Sequence, residues 1–104
     1  MIIYEVKATV TEKIFNDYVS WLKSEHIKEV CACQGFSGAE ILIGRQDDPN
    51  GTKTVCALYK IDTKQNLDLY LKEKAPALRE KGADRWGNQF SVTRTTWLES
   101  CIVN

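Results

Sequence analysis

The chain switches repeatedly between the two hydrophobic periods that distinguish strands from helices. Apolar residues recur at every second position in four stretches and at helical spacing in two stretches between them, which predicts the order strand, helix, strand, strand, helix, strand. This order leaves few folds open, because each strand must bury one face and each helix one stripe. The first predicted elements are a strand over residues 2–10 and a helix over about 12–33. A strand over 36–45 and a strand that carries Val55, Ala57, Tyr59 and Ile61 then form a hairpin, with its turn at 47–51. A helix that starts at Asp62 or Thr63 and a strand over 89–99 complete the order.

Capping and turn residues mark the boundaries of these elements. Thr11 is placed to cap the first helix, and Gly35 is placed to end it in a left-handed conformation. Pro76 is expected to end or kink the second helix and to begin a further short helical segment. Gly82 and residues 86–88 then predict the turn into the last strand.

A chain of 104 residues in this order predicts a single α+β domain over residues 1–104. The βαββαβ arrangement forms a four-stranded antiparallel sheet with both helices on one face, the ferredoxin-like fold. The other sheet face then carries an apolar group of Ile3, Leu42, Leu58 and Trp97. Pairing of two sheets would bury this group, so we expect a homodimer through the sheet face. A monomer with scattered surface hydrophobic residues is the open alternative.

Composition removes several classes of function. Fourteen basic and fourteen acidic residues give no net charge, which argues against a nucleic-acid or membrane surface. The apolar runs are too short for a membrane span, and the first ten residues read as a strand rather than a signal peptide, so we expect a cytoplasmic protein. Four cysteines without a CxxC spacing and a single histidine argue against a metal site. The glycines form no phosphate-binding motif, and we expect no cofactor.

His26 and Glu29 are the best candidates for a chemical site. Under regular helical rotation both fall on the apolar stripe of the first helix, about 40° and 20° to either side of Leu22. Burying such groups is costly unless something pairs with them. We therefore expect a catalytic pair, with His26 as general base and Glu29 as its orienting partner. A purely structural hydrogen-bonded pair is the alternative.

Three further side chains are candidates for ligand binding. Arg94 alternates with the inward residues of the last strand, so it can pair with Glu29 or hold an anionic ligand. Tyr4 and Tyr59 lie on the apolar faces of their strands, where each is either a core residue or a ligand-binding hydroxyl. Arg79 and Arg85 are placed either in solvent or at the mouth of a cleft. Trp21 falls about 100° from the centre of the stripe and is interpreted as a flanking or interface aromatic.

Four segments carry a resemblance to a known family: MIIYEV, WLKSEHIKEV, GFSGAEIL, and APALREKGADRWGNQF followed by Arg94. They resemble a bacterial family of unknown function in the dimeric α/β-barrel (ferredoxin-like) superfamily. That superfamily also contains antibiotic-biosynthesis-type monooxygenases, haem-degrading enzymes, muconolactone isomerases and YciI-like proteins. The resemblance implies a dimer and a small-molecule pocket between the helices and the sheet of each protomer.

Two functions follow from these residues and this resemblance. The first is monooxygenase- or isomerase-like chemistry without a cofactor, on a small aromatic or carbonyl-bearing molecule, with His26 as base. The second is a non-catalytic homodimer that binds a metabolite or another protein.

Overall fold

The computed structural model, which describes residues 1–45 and 50–104, contains the predicted elements in the predicted order. The first helical segment is a 3-10 turn, a short α-helix, a π turn and a second short α-helix, and a 3-10 turn also precedes the last strand. The elements are β1 (Ile2–Thr11), a 3-10 turn (Glu12–Ile14), α1 (Phe15–Trp21), a π turn (Leu22–His26), α2 (Ile27–Cys31), β2 (Phe36–Ile43), β3 (Thr52–Ile61), α3 (Lys64–Glu73), α4 (Ala75–Trp86), a 3-10 turn (Gly87–Gln89) and β4 (Phe90–Trp97).

The four strands form one antiparallel sheet in the order β2-β3-β1-β4. β1 lies at the centre of the ladder, where Tyr4 is opposite Tyr59 of β3 and Val6 is opposite Arg94 of β4. Residues that are directly opposite one another share a face. The register therefore places Tyr4, Tyr59 and Arg94 on the same side of the sheet. The α+β ferredoxin-like fold predicted from the sequence is confirmed.

The helices cover that same side of the sheet and bury two apolar clusters against it. The first cluster contains Tyr4, Tyr59 and Tyr70, and the second contains Tyr18, Trp21 and Trp86. Aromatic rings fill much of both clusters, with Tyr18 5.7 Å from Trp21 and 5.6 Å from Trp86 between ring centroids.

The π turn decides which residues of the first helical segment face the sheet. The backbone N–H of Ile27 donates to the carbonyl oxygen of Leu22, so this turn holds one residue more than an α-helical turn. The extra residue rotates the helix that precedes it relative to the helix that follows. Trp21 consequently turns inward and is only 7% exposed. The interpretation of Trp21 as a flanking or interface aromatic, which assumed a regular helix, is wrong.

The predicted cap of the first helical segment is absent, whereas the predicted cap of the second is present. The Thr11 side chain makes no capping hydrogen bond, because Thr11 is still the last residue of β1 and a 3-10 turn follows it. That predicted cap is wrong. Thr63 does cap α3, where its Oγ1 accepts a hydrogen bond from the backbone N–H of Asn66 at 3.2 Å. Pro76 lies in the first turn of α4, as predicted.

Two further boundaries differ from the sequence prediction. α4 continues through Gly82 to Trp86, so Gly82 is a buried helical residue rather than part of a turn. β4 ends at Trp97 rather than at residue 99, so Leu98, which the predicted strand included, lies beyond it and is exposed. Residues 47–49 of the predicted hairpin turn lie outside the described residues.

The uncovered side of the sheet carries the apolar group that the alternation predicted. Ile3 is opposite Trp97 in the ladder, and Leu42 and Trp97 are 44% and 51% exposed. The Trp97 Nε1–H donates to Glu5 Oε1 at 3.2 Å. This face therefore mixes large apolar side chains with charges. In the described part of the chain, no helix is both long and apolar enough to cross a membrane.

Gly82 offers a test of the helical packing. A Cβ added at Gly82 would meet Trp21 Cη2 at 3.5 Å and Phe90 Cζ at 3.7 Å, which are ordinary contacts. We predict that Gly82→Ala raises the free energy of unfolding by about 0.5–1 kcal/mol, because glycine loses more backbone entropy in a helix than alanine. Urea denaturation measures this change.

Gly87→Ala is the matched control at the end of the same helix. Gly87 has φ +59° with open space around its missing Cβ, so alanine there is expected to lower the free energy of unfolding through backbone strain alone. A loss of stability in Gly82→Ala as large as that in Gly87→Ala would contradict the packing around Gly82.

Candidate functional site

A cleft between the helical layer and the sheet is the candidate site. Its cavity volume is about 50 Å³, and together with the adjoining open solvent the cleft outlines about 460 Å³. Both apolar clusters contribute to its walls, so it lies at their junction. The sheet supplies Tyr4, Val6, Tyr59, Phe90, Val92 and Arg94, and the helical layer supplies Tyr18, Trp21, His26, Tyr70, Leu78, Arg79 and Gly82.

His26 is held in this cleft by a stack on Trp21. The two ring centroids are 4.5 Å apart and the ring planes differ by 18°. The residues are five positions apart, which in a regular α-helix would place them about 140° apart around the axis. The wider π turn brings them onto one side. The stack therefore fixes the imidazole plane without using either ring nitrogen.

The surroundings of His26 keep the imidazole neutral at neutral pH. Burial lowers the pKa of His26 below its ordinary value, and the Arg94 and Lys81 charges lower it further. The carboxylates of Glu29 and Glu25 oppose this shift by raising the pKa, with Glu29 the stronger. Burial has the largest effect, so the net direction is downward. A neutral imidazole keeps one nitrogen lone pair free to accept a proton.

Glu29 does not line the cleft. Its Oε2 atom is 2.9 Å from Lys81 Nζ, in an ion pair that joins α2 to α4. The predicted ion pair between Glu29 and Arg94 is wrong, because Glu29 points sideways toward α4 rather than down onto the sheet. Glu29 still acts on His26 through space by raising its pKa.

Arg94 does line the cleft, as its alternation on the last strand predicted. It lies opposite Val6 on the helix-covered side of the sheet. Within residues 1–45 and 50–104 its guanidinium forms no ion pair and no hydrogen bond. β4 is an edge strand, so the side chain stays exposed at the mouth of the cleft.

Tyr4 and Tyr59 serve both as core residues and as cleft walls. Their rings lie 6.1 Å apart between centroids, and both side chains are at most 3% exposed. The Tyr4 hydroxyl accepts a hydrogen bond from Arg79 Nη2 at 3.1 Å. Burial raises the pKa of Tyr59 far above its usual range, so its phenol stays protonated. The structure thus brings Tyr4, Tyr59, His26 and Arg94 into one cleft.

Besides Trp21, sequence reasoning did not identify Tyr18 and Tyr70 as lining residues of the cleft, and it left two arginines undecided. Tyr18 lies on the predicted apolar stripe, and Tyr70 on the apolar side of α3, but neither pattern distinguishes a cleft wall from core. Arg79 reaches the cleft, whereas Arg85 lies with its guanidinium carbon 5.0 Å from the Trp86 ring centroid and outside the cleft lining. The separation of the two arginines depends on the long α4 that the sequence did not predict.

The cysteines and the potential metal ligands of the described residues form no second candidate site. Cys31, Cys33, Cys56 and Cys101 are free thiols. Burial raises the pKa of the first three, which disfavours the reactive thiolate. Among the residues that the structure describes, no three His, Cys, Asp or Glu side chains are placed to hold a metal ion.

The model of one protein family, described as a domain of unknown function (DUF4286), matches residues 1–101. No match to the chain was found among curated proteins.

Several solved structures share the fold at low sequence identity. A protein from Deinococcus radiodurans classed as an antibiotic biosynthesis monooxygenase has a TM-score of 0.71 at 8% identity, over 100% of this chain and 97% of that chain. A protein of the same class from Bacillus cereus has a TM-score of 0.66 at 18% identity, over 99% and 98% of the two chains. A dimeric ferredoxin-like protein from an uncultured marine organism has a TM-score of 0.69 at 12% identity, over the whole of both chains. These likenesses establish the fold alone.

The lone histidine makes the electrostatics of the cleft directly measurable. We predict that NMR titration of the His26 ring protons gives a pKa below 6.5, and that Glu29→Gln lowers the pKa further because a nearby negative charge is lost. Glu12→Gln, which removes a distant carboxylate paired with Lys53, is the control and should leave the pKa unchanged. A rise in the pKa of His26 in Glu29→Gln would contradict the assigned electrostatics.

The same shift predicts how stability depends on pH. Because the folded pKa of His26 lies below the unfolded value of about 6.5, the unfolded chain binds the proton first as the pH falls. The contribution of His26 is therefore fully present above about pH 6.5 and is lost between that pH and the folded pKa. Urea titrations of wild type and His26→Gln across this range measure the difference.

Proposed function

Since the chain belongs to the DUF4286 family, a domain of unknown function, we propose its function from its own cleft: it is a homodimeric enzyme that binds a small molecule in each protomer and removes a proton from it. His26 is the general base. The single observation that carries this proposal is the imidazole of His26, kept neutral by burial and held flat on Trp21 at the wall of an aromatic cleft.

The neutral imidazole and the free guanidinium of Arg94 suit proton abstraction next to a carbonyl group. The C–H bond breaks, an N–H bond forms on His26, and the electron pair moves to the carbonyl oxygen as an enolate. Arg94 and the protonated phenols of the cleft then stabilise the negative oxygen. The aromatic walls fit a planar substrate.

Two outcomes are open to such an enolate. In an isomerase the proton returns to a different carbon. In a cofactor-independent monooxygenase the enolate reacts with dioxygen, which converts a CH₂ group to a carbonyl and releases the second oxygen atom as water. The fold shared with proteins classed as monooxygenases supports the second outcome by analogy only. Proton removal by His26 is the step common to both.

Glu29 has a positioning role in this proposal. It touches Lys81 rather than the cleft, and it raises the pKa of His26 through space. A base whose pKa falls too far loses proton affinity. Glu29→Gln should therefore shift the pH profile of the reaction to lower pH along with the pKa of His26.

The outer face of the sheet supports the homodimer. Leu58, on the central strand β3, is opposite Glu5 of β1 and Glu40 of β2 on this face, and Leu42 and Trp97 are exposed beside them. A face of this kind is suited to packing against a second copy of itself. Two of the solved structures with this fold are dimeric ferredoxin-like proteins.

Leu58→Lys tests the dimer. The lysine would find Glu5 and Glu40 as cross-strand neighbours in a monomer, whereas packing of two sheets would bury its charge. We predict a shift from dimer to monomer, measured by light scattering on a size-exclusion column, without loss of the circular dichroism spectrum. Leu69→Lys, at an exposed leucine of α3, should remain a dimer. A Leu58→Lys variant that stays dimeric would exclude the sheet face as the interface.

Deuterium exchange tests His26 as the base. Phenylpyruvate and its neutral counterpart phenylacetone both carry exchangeable protons next to a carbonyl. We predict that the wild-type protein accelerates deuterium incorporation in D₂O, followed by ¹H NMR, and that His26→Gln slows the reaction by about 10²-fold or more. Lys28→Gln, at an exposed position of the same helical segment, is the control. Binding of either probe without acceleration would instead support the non-catalytic, metabolite-binding function.

A further inference from the structure

The cleft has an unbalanced charge. Two of its lining residues, Arg79 of α4 and Arg94 of β4, carry guanidinium groups, and no lining residue carries a carboxylate. Glu29, whose carboxylate influences the pKa of His26, forms an ion pair with Lys81 outside the cleft. Both arginine side chains are exposed, so water solvates their charges, and an anionic partner in the cleft would add charge-assisted hydrogen bonds. The protein itself supplies no such partner among its described residues.

Arg94 is the cleft cation whose hydrogen-bond donors are open to a ligand. Its charge lowers the pKa of His26, Tyr18 and Tyr70, so the guanidinium, which stands on the sheet, acts across the cleft on groups of the helical layer. It has no ion pair or hydrogen bond of its own within residues 1–45 and 50–104. Its five N–H donors are therefore available, and a guanidinium matches a carboxylate in a two-point hydrogen bond.

Unused phenol groups point to the same kind of ligand. Tyr18, Tyr59 and Tyr70 are more than nine-tenths buried, all line the cleft, and no hydrogen bond within the described residues engages their hydroxyls. The fully enclosed polar side-chain atoms without a partner, in that same part of the chain, are Thr11 Oγ1 and Trp86 Nε1. The three phenol oxygens are not among them, so each keeps some accessible surface.

These phenols are hydrogen-bond donors at neutral pH. Burial raises the pKa of Tyr18 to about 12 and raises those of Tyr59 and Tyr70 further still. Tyr4 adds a fourth donor, because its oxygen already accepts from Arg79 Nη2 and its own O–H remains free. A ring of O–H and N–H donors favours an acceptor-rich ligand.

We infer that the cleft binds a small organic anion, in which a carboxylate pairs with Arg94 and Arg79 and a planar aromatic or unsaturated body lies between the aromatic walls. This assignment rests on the proposed function, since it concerns the same cleft, and it narrows the substrate class to planar carboxylic acids. Joined to proton removal by His26, it favours aryl keto acids as substrates. The carboxylate then fixes the molecule while His26 reaches the carbon next to the carbonyl.

Benzoate and benzamide provide the test, because they have the same planar shape and differ in charge. Binding to the full-length protein is measured by calorimetry, and the ring resonances of His26, the single histidine, report whether the probe enters this cleft. We expect benzoate to shift these resonances and to bind about tenfold or more tightly than benzamide.

Substitutions of single arginines test which guanidinium group binds the carboxylate of benzoate. Arg94→Gln is expected to weaken benzoate binding about tenfold while benzamide affinity stays the same, and Arg94→Lys to fall between wild type and Arg94→Gln. Arg79→Gln should weaken benzoate in the same direction. Arg85→Gln is the matched control, since Arg85 belongs to the same helix as Arg79 but packs over Trp86 outside the cleft.

The outcomes separate this inference from the function on which it rests. Equal affinity for benzoate and benzamide, or an Arg94→Gln variant that keeps the preference for benzoate, overturns the anion assignment and leaves proton transfer by His26 standing. If neither probe shifts the His26 resonances, the anion assignment falls, and the ligand-binding function falls with it. If benzoate binds selectively through Arg94 but the deuterium exchange fails, the anion site stands without the catalytic function.

Discussion

One additional residue in a single helical turn determines which aromatic rings of the first helical segment lie at the cleft. The hydrogen bond from Ile27 to Leu22 widens the turn, and the widened turn brings Trp21 and His26 onto the same side of the first helical segment. Trp21 then fills the core and His26 lies flat against it at the cleft. In an uninterrupted α-helix only one of the two rings could face the sheet. π turns recur at functional sites for this reason, because they aim side chains that regular helices cannot.

The inward-facing residues of the strands could be predicted, because side chains alternate strictly between the two faces of a sheet. A period of two assigns each residue to one face or the other, and the alternation of β1, β3 and β4 correctly placed Tyr4, Tyr59 and Arg94 on the helix-covered side. The end of β4 was less certain: alternation alone carried the pattern to Leu98, although pairing with β1 stops at Trp97. Alternation identifies the face of a residue but not whether a partner strand is still present.

The inward-facing residues of the helices were harder to predict, because an error in the assumed rotation per residue adds up along the helix. A stripe drawn at a constant rotation excluded Trp21. The residues Leu22–His26 carry no recognisable sequence signal for a π turn, so the rotation that this turn introduces was not predicted. The pairing of Glu29 failed for a related reason. Which cation a carboxylate meets depends on how two helices lie beside each other, and the length of α4 that presents Lys81 was hidden by Gly82, a residue that usually signals a turn.

The sheet wall and the helical wall of the cleft are held in place by different interactions. Tyr4 and Tyr59 stand on the two central strands, where each backbone is paired on both sides, while His26 and Arg79 stand on helices attached mainly through side chains. Substitutions on the helical wall can therefore change the shape of the cleft without disturbing the ladder beneath it. The sheet can thus be kept while the wall above it varies, and the same fold occurs in solved structures that are only 8% and 12% identical to this chain.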